Sequence, residues 1–378
     1  MSRLKVGVVG LGTMGAQVLW QLSRRGVDAT GYDTYWPGHP RGAAGGETRL
    51  FRTVEIEDLR YTPLVARAHE IWTELQEQTG RELRVLDGAL AMGSPAHEQM
   101  RTALACARAS DLPHEVYDAA ELKKRHPQFA MDPGDVAIWD PNGGSIRPEL
   151  TVAATAALAE RNGATVHRSA AVREIRETPR GVAVATDTGE TEFDRVVVAA
   201  GGWTNFLLPR FAPLLTVRRL ISAWFFARDP GYLATITPFI RTVPTYCYGL
   251  PVPDRTAMKI GLGFDHHLPA DRPDEVERVV RPEELEPFQQ AAERYLPGLD
   301  PHPMRTDTYI ETYTPDHREW VGAHPDMADV IVLAGFSGHG FKMCPAIGEA
   351  GAQLAVDGHT DLDIGFLRHP GGSPADMG

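Results

Sequence analysis

The chain has 378 residues, of which 43% are hydrophobic and 23% charged, with a formal net charge of −12. This length exceeds the usual single-domain size and carries enough apolar residues for a sizeable core, so two structural units are expected. The acidic balance argues against a nucleic-acid partner, which needs clustered Lys and Arg. No run reaches the roughly 18 apolar residues of a membrane span. The three cysteines, Cys106, Cys247 and Cys344, are odd in number and far apart, so they suggest neither a disulfide framework nor a CxxC metal site and fit a cytoplasmic protein.

The chain opens on "MSRLKVGVVGLGTMGAQVLWQLSRRG". A basic start before an apolar run looks like a secretory leader, but the glycine pattern accounts for it better. Lys5 to Val9 reads as a buried strand, followed by Gly10, Gly12 and Gly15 and then a helix with apolar Val18, Leu19 and Leu22. In this dinucleotide fingerprint Gly10 permits the tight turn and Gly12 lets backbone approach a pyrophosphate. Gly15 allows close helix packing, and Thr13 and Met14 sit at the helix start facing the phosphates. A second strand, "DATGYD", ends in Asp33 about 20 residues further on, where a carboxylate accepts hydrogen bonds from ribose hydroxyls and repels the 2'-phosphate of NADP. The motif leaves FAD and NAD both open. The uninterrupted strand-helix series of a simple NAD enzyme does not follow; instead comes a small-residue loop, "TYWPGHPRGAAGGETRLFR", containing Thr48, Arg49 and Arg52, and then a helix over "TPLVARAHEIWTELQEQTG".

From Arg81 to Trp139 short strands alternate with helices, and a helix is expected from Pro148 to Asn162. The segment "DRVVVAAGGW" predicts a buried strand, Val196 to Ala200, running into Gly201 and Gly202, a second approach to a nucleotide or a plain glycine turn. Antiparallel strands are expected from Val217 to Pro303, with one long helical stretch, "RPEELEPFQQAAERYL". A third buried strand, "VIVLAGF", then enters "GFSGHGFK" and a helix. Three strands, each ending in glycines and separated by long insertions, predict an α/β protein. Its Rossmann-like cofactor domain is assembled from residues 1–80, 145–215 and 320–378, and a second α+β substrate domain on an antiparallel sheet comes from 81–144 and 216–319.

Together with Gly10, Gly12, Gly15 and Asp33, the segments "GETRLFR" (46–52), "RYTPLVARAHEIWTEL" (60–75), "YGLP" (248–251), "MKIG" (258–261), "YTPD" (313–316) and "VLAGFSGHGFKMCPAIGE" (332–349) resemble the monomeric sarcosine oxidase and N-methyltryptophan oxidase family of FAD-dependent amine oxidases, relatives of D-amino acid oxidase. The resemblance covers essentially the whole chain. It implies FAD as cofactor and an amine or amino acid as substrate, oxidised at a C–N bond to an imine, with molecular oxygen reduced to hydrogen peroxide. It further implies that Gly335, Gly338, His339, Gly340, Phe341 and Lys342 wrap the flavin ring, that Thr48 and Arg49 lie near the flavin and its phosphates, and that Thr312 lies near its pyrimidine edge. Arg52 and Lys342 match the pair that fixes a substrate carboxylate, Tyr248 a tyrosine that orients substrate, and Lys259 the lysine above the flavin that promotes oxygen reduction. His339 is read as structural, its ring hydrogen-bonded to hold the loop, and no metal site is expected at His266 and His267.

The departures concern the pocket. Tyr309 stands where the family carries the cysteine that bonds the flavin, so noncovalent FAD is expected, with Cys344 a buried thiol at a helix start. Gly45 and Gly263 replace two histidines, and Glu55 and Glu311 replace two tyrosines, which predicts a roomier, more acidic pocket and a substrate larger than sarcosine, in specialised-metabolite biosynthesis as readily as in catabolism. A monomer or weak homo-oligomer is expected. The rival readings are a flavin-dependent amine dehydrogenase using another electron acceptor and a non-catalytic dinucleotide-binding protein.

Overall fold

A computed structural model describes residues 3–367; residues 1–2 and 368–378, which belong to the expected cofactor domain, lie outside the described residues. Lys5–Val9 is the centre of a six-stranded sheet whose order is Trp320–Ala323, Val330–Ala334, Arg195–Val198, Lys5–Val9, Asp28–Tyr32, Thr165–His167. All neighbours run parallel except Trp320–Ala323 against Val330–Ala334. These strands read as unbroken apolar runs because both faces are covered. On one side Val6, Val8 and Val197 pack with Val18, Leu22, Ile347 and Ala350 from the helices Thr13–Arg24 and Cys344–Asp357. On the other, Val9, Val196 and Val198 pack with Val182, Val184 and Phe193 of a three-stranded antiparallel sheet.

Parallel pairing puts the C-terminal ends of Lys5–Val9, Asp28–Tyr32, Arg195–Val198 and Val330–Ala334 at one edge, so Gly10, Asp33, Gly201 and Gly335 converge there although up to 325 positions separate Gly10 from Gly335. At the first turn Gly10 has φ +87, and a Cβ on Gly15 would lie 1.7 Å from the Gly10 carbonyl oxygen. Helix and turn approach that closely only without the methyl.

The second large sheet has nine strands. Thr216–Phe225 pairs on its two edges with Arg305–Tyr313 and Met258–Leu262, and the sheet continues through Cys247–Pro251, Phe239–Arg241, Ala89–Gly93, Val136–Asp140 and Glu115–Tyr117, with Leu268–Pro269 added against the start of Thr216–Phe225. Every strand of the six-stranded sheet comes from 1–80, 145–215 or 320–367, and every strand of the nine-stranded one from 81–144 or 216–319. Two expectations need correction. Phe239–Arg241 runs parallel to Ala89–Gly93, so the sheet is mixed where the two sequence blocks meet. The long helical stretch shrinks to Glu286–Tyr295, because Pro287 lies within the first turn, where its missing N–H is tolerated, and residues 282–284 form a separate 3-10 turn.

Candidate active site

Two adjoining cavities lie between the sheets. The first, of about 490 Å³, runs along the glycine edge of the six-stranded sheet and is lined by Gly10, Gly12, Thr13, Met14, Asp33, Gly201, Thr312, Gly335 and Gly340, among others. The second, of about 530 Å³, is lined by Arg52, Glu57, Tyr246, Tyr248, Tyr309, Tyr313, His339 and Lys342. Ala43, Arg49, Ile310, Glu311, Gly338 and Phe341 border both.

The first cavity has the donor set of a dinucleotide site. The helix Thr13–Arg24 starts at Gly12 with no side-chain cap and no acidic residue in its first turn, so its free N–H groups and positive dipole end face the cavity. A Cβ on Gly12 or Gly201 would meet nothing within 4 Å, which leaves room at both turns for a group against the backbone. Asp33 accepts from the Leu11 and Tyr35 N–H groups at 2.8 Å each and retains lone pairs toward the cavity. The turn at residues 335–342 is shaped by three left-handed residues, Gly335 (φ +72), Ser337 (φ +50) and Gly338 (φ +83). It is tied down from behind by the Trp72 indole N–H, which donates to the Lys342 carbonyl at 2.9 Å.

The loop at 43–49 packs against the nine-stranded sheet and gives Ala43 and Arg49 to the wall shared by the cavities. Glu149 accepts from the Gly46 N–H at 2.6 Å and from the Glu47 N–H, and Arg49 donates to the carbonyls of Ala43, Gly45 and Thr48. Lys259, 1% exposed, donates to Gly46 O at 2.9 Å and to Thr48 O. Burial, with Arg49 adding to it, pushes the Lys259 pKa well below the usual lysine value. Lys259 and Thr48 border neither cavity, so both stand behind the loop backbone rather than over the space a ring would fill. Gly15 likewise serves packing and borders neither cavity.

Arg52 and Lys342 are brought together on the wall of the second cavity, each already paired with acids of the chain. Arg52 pairs with Glu57 at 2.5 Å and with Glu55 at 3.5 Å; Lys342 pairs with Glu55 at 3.3 Å and with Glu57 at 3.9 Å. Burial works against ionisation of Glu57, yet Arg52 and Lys342 outweigh it and hold this carboxyl well below its ordinary value. At Glu55, fully buried and bordering neither cavity, burial wins and pushes the carboxyl up. Glu55 is therefore not a substrate-facing residue. Sequence reading missed Glu57, whose only signal is a second acid two residues on in "VEIED".

The pocket is also not enlarged where the two histidines are replaced. A Cβ on Gly45 would lie 2.2 Å from the Tyr309 ring, and one on Gly263 would lie 2.8 Å from the Tyr246 ring. The tyrosine rings occupy the space that larger residues at 45 and 263 would need. Tyr309, 3% exposed, donates its hydroxyl to Asp307 at 2.9 Å. Tyr248 lies across Gly261, its cross-strand partner, and burial raises its pKa.

His339 faces Tyr61 (Nε2 to the hydroxyl, 3.2 Å) and Glu319 (3.4 Å), and Tyr61 donates to Glu319 at 2.7 Å. Burial opposes the charged ring, but Glu319 outweighs it and raises the pKa. His267 donates from Nε2 to Leu262 O at 3.0 Å and accepts at Nδ1 from the Tyr313 hydroxyl at 2.8 Å, while burial pushes it down to about 4. It is a neutral ring holding Tyr313. Cys344 is wholly buried at its helix start.

The FAD dependent oxidoreductase (DAO) family matches residues 5–354. The chain belongs to this family. It is an FAD-dependent amine or amino-acid oxidase. It is 32% identical over 371 residues to a monomeric sarcosine oxidase of Streptomyces avermitilis, covering 95% of each chain. It is 29% identical to an N-methyl-L-tryptophan oxidase of Yersinia pestis, covering 94% of this chain and 96% of that one. Its fold is that of NikD, an amino acid oxidase essential for nikkomycin biosynthesis (TM-score 0.83, 24% identity, 97% of both chains), and of L-proline dehydrogenase from P. horikoshii (TM-score 0.84, 21% identity, 97% of both chains).

The contact between Gly45 and Tyr309 is testable as a pair. Gly45→Ala alone should lower the melting temperature, and Tyr309→Ala should relieve that loss in the double variant, with a coupling of about 0.5–3 kcal/mol. Additive losses in a thermal double-mutant cycle would contradict the packing described.

Proposed function

We propose that the protein oxidises the C–N bond of a secondary or primary amine in an amino acid or related metabolite, with oxygen as electron acceptor, FAD held noncovalently, and the substrate in the second cavity. The observation that carries the substrate reading is the joint placement of Arg52 and Lys342 on that cavity's wall. A bound FAD supplies two-electron acceptor chemistry, and the chain supplies binding and charge. Gly10, Gly12, Thr13, Met14, Asp33, Gly201 and Gly335 are assigned to its dinucleotide part, and Gly338, Gly340 and Phe341 to the wall it shares with the substrate.

A substrate carboxylate reaching Arg52 competes with Glu57, the cluster's one acid that borders the cavity. A guanidinium grips a carboxylate through paired N–H groups, and Lys342 adds a point charge. Tyr248 orients the substrate. Lys259 is assigned to oxygen reduction on its match to the family lysine, acting from behind the 46–48 backbone. The name of the Streptomyces relative supports a monomer or a weak homo-oligomer. Among the described residues no helix is long and apolar enough to cross a membrane, and a cytoplasmic location is proposed from the cysteine usage.

Hydrogen bonds to charged groups contribute roughly 1.5–3 kcal/mol, so Arg52→Ala should raise the dissociation constant of a carboxylate substrate by roughly one to two orders of magnitude. Glu57→Gln, which removes the competitor, should lower it. If amide and carboxylate forms of one substrate lose equally in Arg52→Ala, the acid group does not meet Arg52.

Acid precipitation should leave yellow FAD in the supernatant, since Tyr309 stands at the attachment position and Cys344 is buried. Flavin retained in the pellet would show a covalent link.

A further inference from the structure

Most of the buried and half-buried acids around the cavities are engaged within the chain. Glu47 receives Trp224 and Arg305, Glu149 receives two loop amides, Glu319 receives Tyr61, and Glu55 and Glu57 face Arg52 and Lys342. Glu311 differs. It lies on Arg305–Tyr313, where strand alternation puts Tyr309, Glu311 and Tyr313 on one face, and all three border the second cavity. Glu311 alone of the three also borders the first. Oε1 accepts from its neighbour's backbone, Thr312 N, at 3.1 Å; among the described residues no group donates to Oε2.

The neighbouring charges leave it available. Arg49, on the same shared wall, spends its guanidinium on three loop carbonyls. Arg218, opposite Glu311 in the strand pairing, turns to the Phe264 ring at 3.8 Å and to His267 O at 2.7 Å. His339 is occupied by Tyr61 and Glu319, and the Tyr313 hydroxyl by His267. Tyr248, on the strand Cys247–Pro251, borders the same cavity, and the Tyr309 hydroxyl points to Asp307. The wall shared with the dinucleotide cavity therefore offers a carboxylate oxygen, Glu311 Oε2, while the cationic side chains Arg52 and Lys342 border the second cavity only. A zwitterionic amino acid fits this polarity with its ammonium toward the cofactor side.

We propose that Glu311 is a catalytic residue that receives the substrate ammonium at this wall and takes its proton before the C–N bond is oxidised. The proposal rests on the amine-oxidising reading above. In the step, one N–H bond of the ammonium breaks, an O–H bond forms on Oε2, and the nitrogen keeps the electron pair. The neutral amine is then free to share that pair with its carbon as the adjacent C–H bond gives up its hydrogen and two electrons, for which a bound FAD would supply the acceptor, leaving the imine. Burial pushes the Glu311 carboxyl up to about 7 against the pull of the Thr312 N–H, Arg49 and His339, which suits a proton acceptor near neutral pH.

The test uses the FAD-loaded enzyme as wild type, Glu311→Gln and Glu311→Asp. The first measurement is the dissociation constant of 2-aminoisobutyrate, which has no hydrogen on the carbon beside its amine and so binds without reacting, read from the flavin spectrum. The second is the pH profile of anaerobic flavin bleaching by the best amine substrate. Glu311→Gln should weaken 2-aminoisobutyrate by about tenfold or more at neutral pH. It should slow bleaching by roughly 100-fold near neutrality, with the loss vanishing as pH rises past the substrate's own amine pKa, and Glu311→Asp should recover part of the rate. An unchanged dissociation constant and rate, or the same loss at every pH, would overturn the role of Glu311 while leaving the amine-oxidase reading standing. A wild type bleached by no amine would overturn both.

Discussion

The backbone of residues 43–49 is held from three directions by charged groups, and the arrangement of both cavities depends on it. A loop buried between two sheets has peptide groups that water cannot reach, and each one left unpaired costs about 1–3 kcal/mol. Glu149 takes the amides from the side of the six-stranded sheet, Lys259 takes the carbonyls from the nine-stranded sheet, and Arg49 closes the loop on itself. The six-stranded and nine-stranded sheets are thereby tied through this loop. Tyr309 packs on its glycines, Arg49 and Ala43 lie on the wall common to the cavities, and the chain leaves the loop directly into Arg52.

The same low-dielectric setting governs the cation end of the site. Two unpaired cations beside each other in the interior would be strongly unfavourable, and Glu55 and Glu57 offset them. The cluster is thus stable without ligand, and an anionic ligand gains less from it than from two bare cations. Binding by exchange, in which one carboxylate replaces another on the same guanidinium, follows from that balance.

Much of this was legible in the sequence because local constraints were strict. The buried strand Lys5–Val9, the glycines whose Cβ would strike backbone, and the turn at 335–342 each allow few alternatives, and the pieces of the six-stranded sheet announce themselves by apolar runs ending in glycine. What escaped are relations between distant segments. Nothing in the local pattern says that a glycine at 45 leaves space for a ring at 309, or that one at 263 leaves space for a ring at 246; read singly, each substitution suggests lost bulk. Glu57 was missed because an acid beside a loop reads as solvated until the fold buries it against Arg52. The placement of Lys259 was only half legible: its burial follows from "MKIG" in a core strand, but which backbone it meets depends on the folding of a loop more than 200 positions away.

The central claim is that electrons pass from an amine to flavin in this chain and then to oxygen. Stopped-flow mixing of the purified yellow protein with N-methyl, cyclic and primary amino acids, first without and then with oxygen, tests it most directly. The account predicts that at least one of these amines bleaches the flavin band anaerobically and that oxygen restores it with one hydrogen peroxide formed per amine consumed. A flavin reduced by amine but not reoxidised by oxygen would make the protein a dehydrogenase, and a flavin that no amine reduces would contradict the account as a whole.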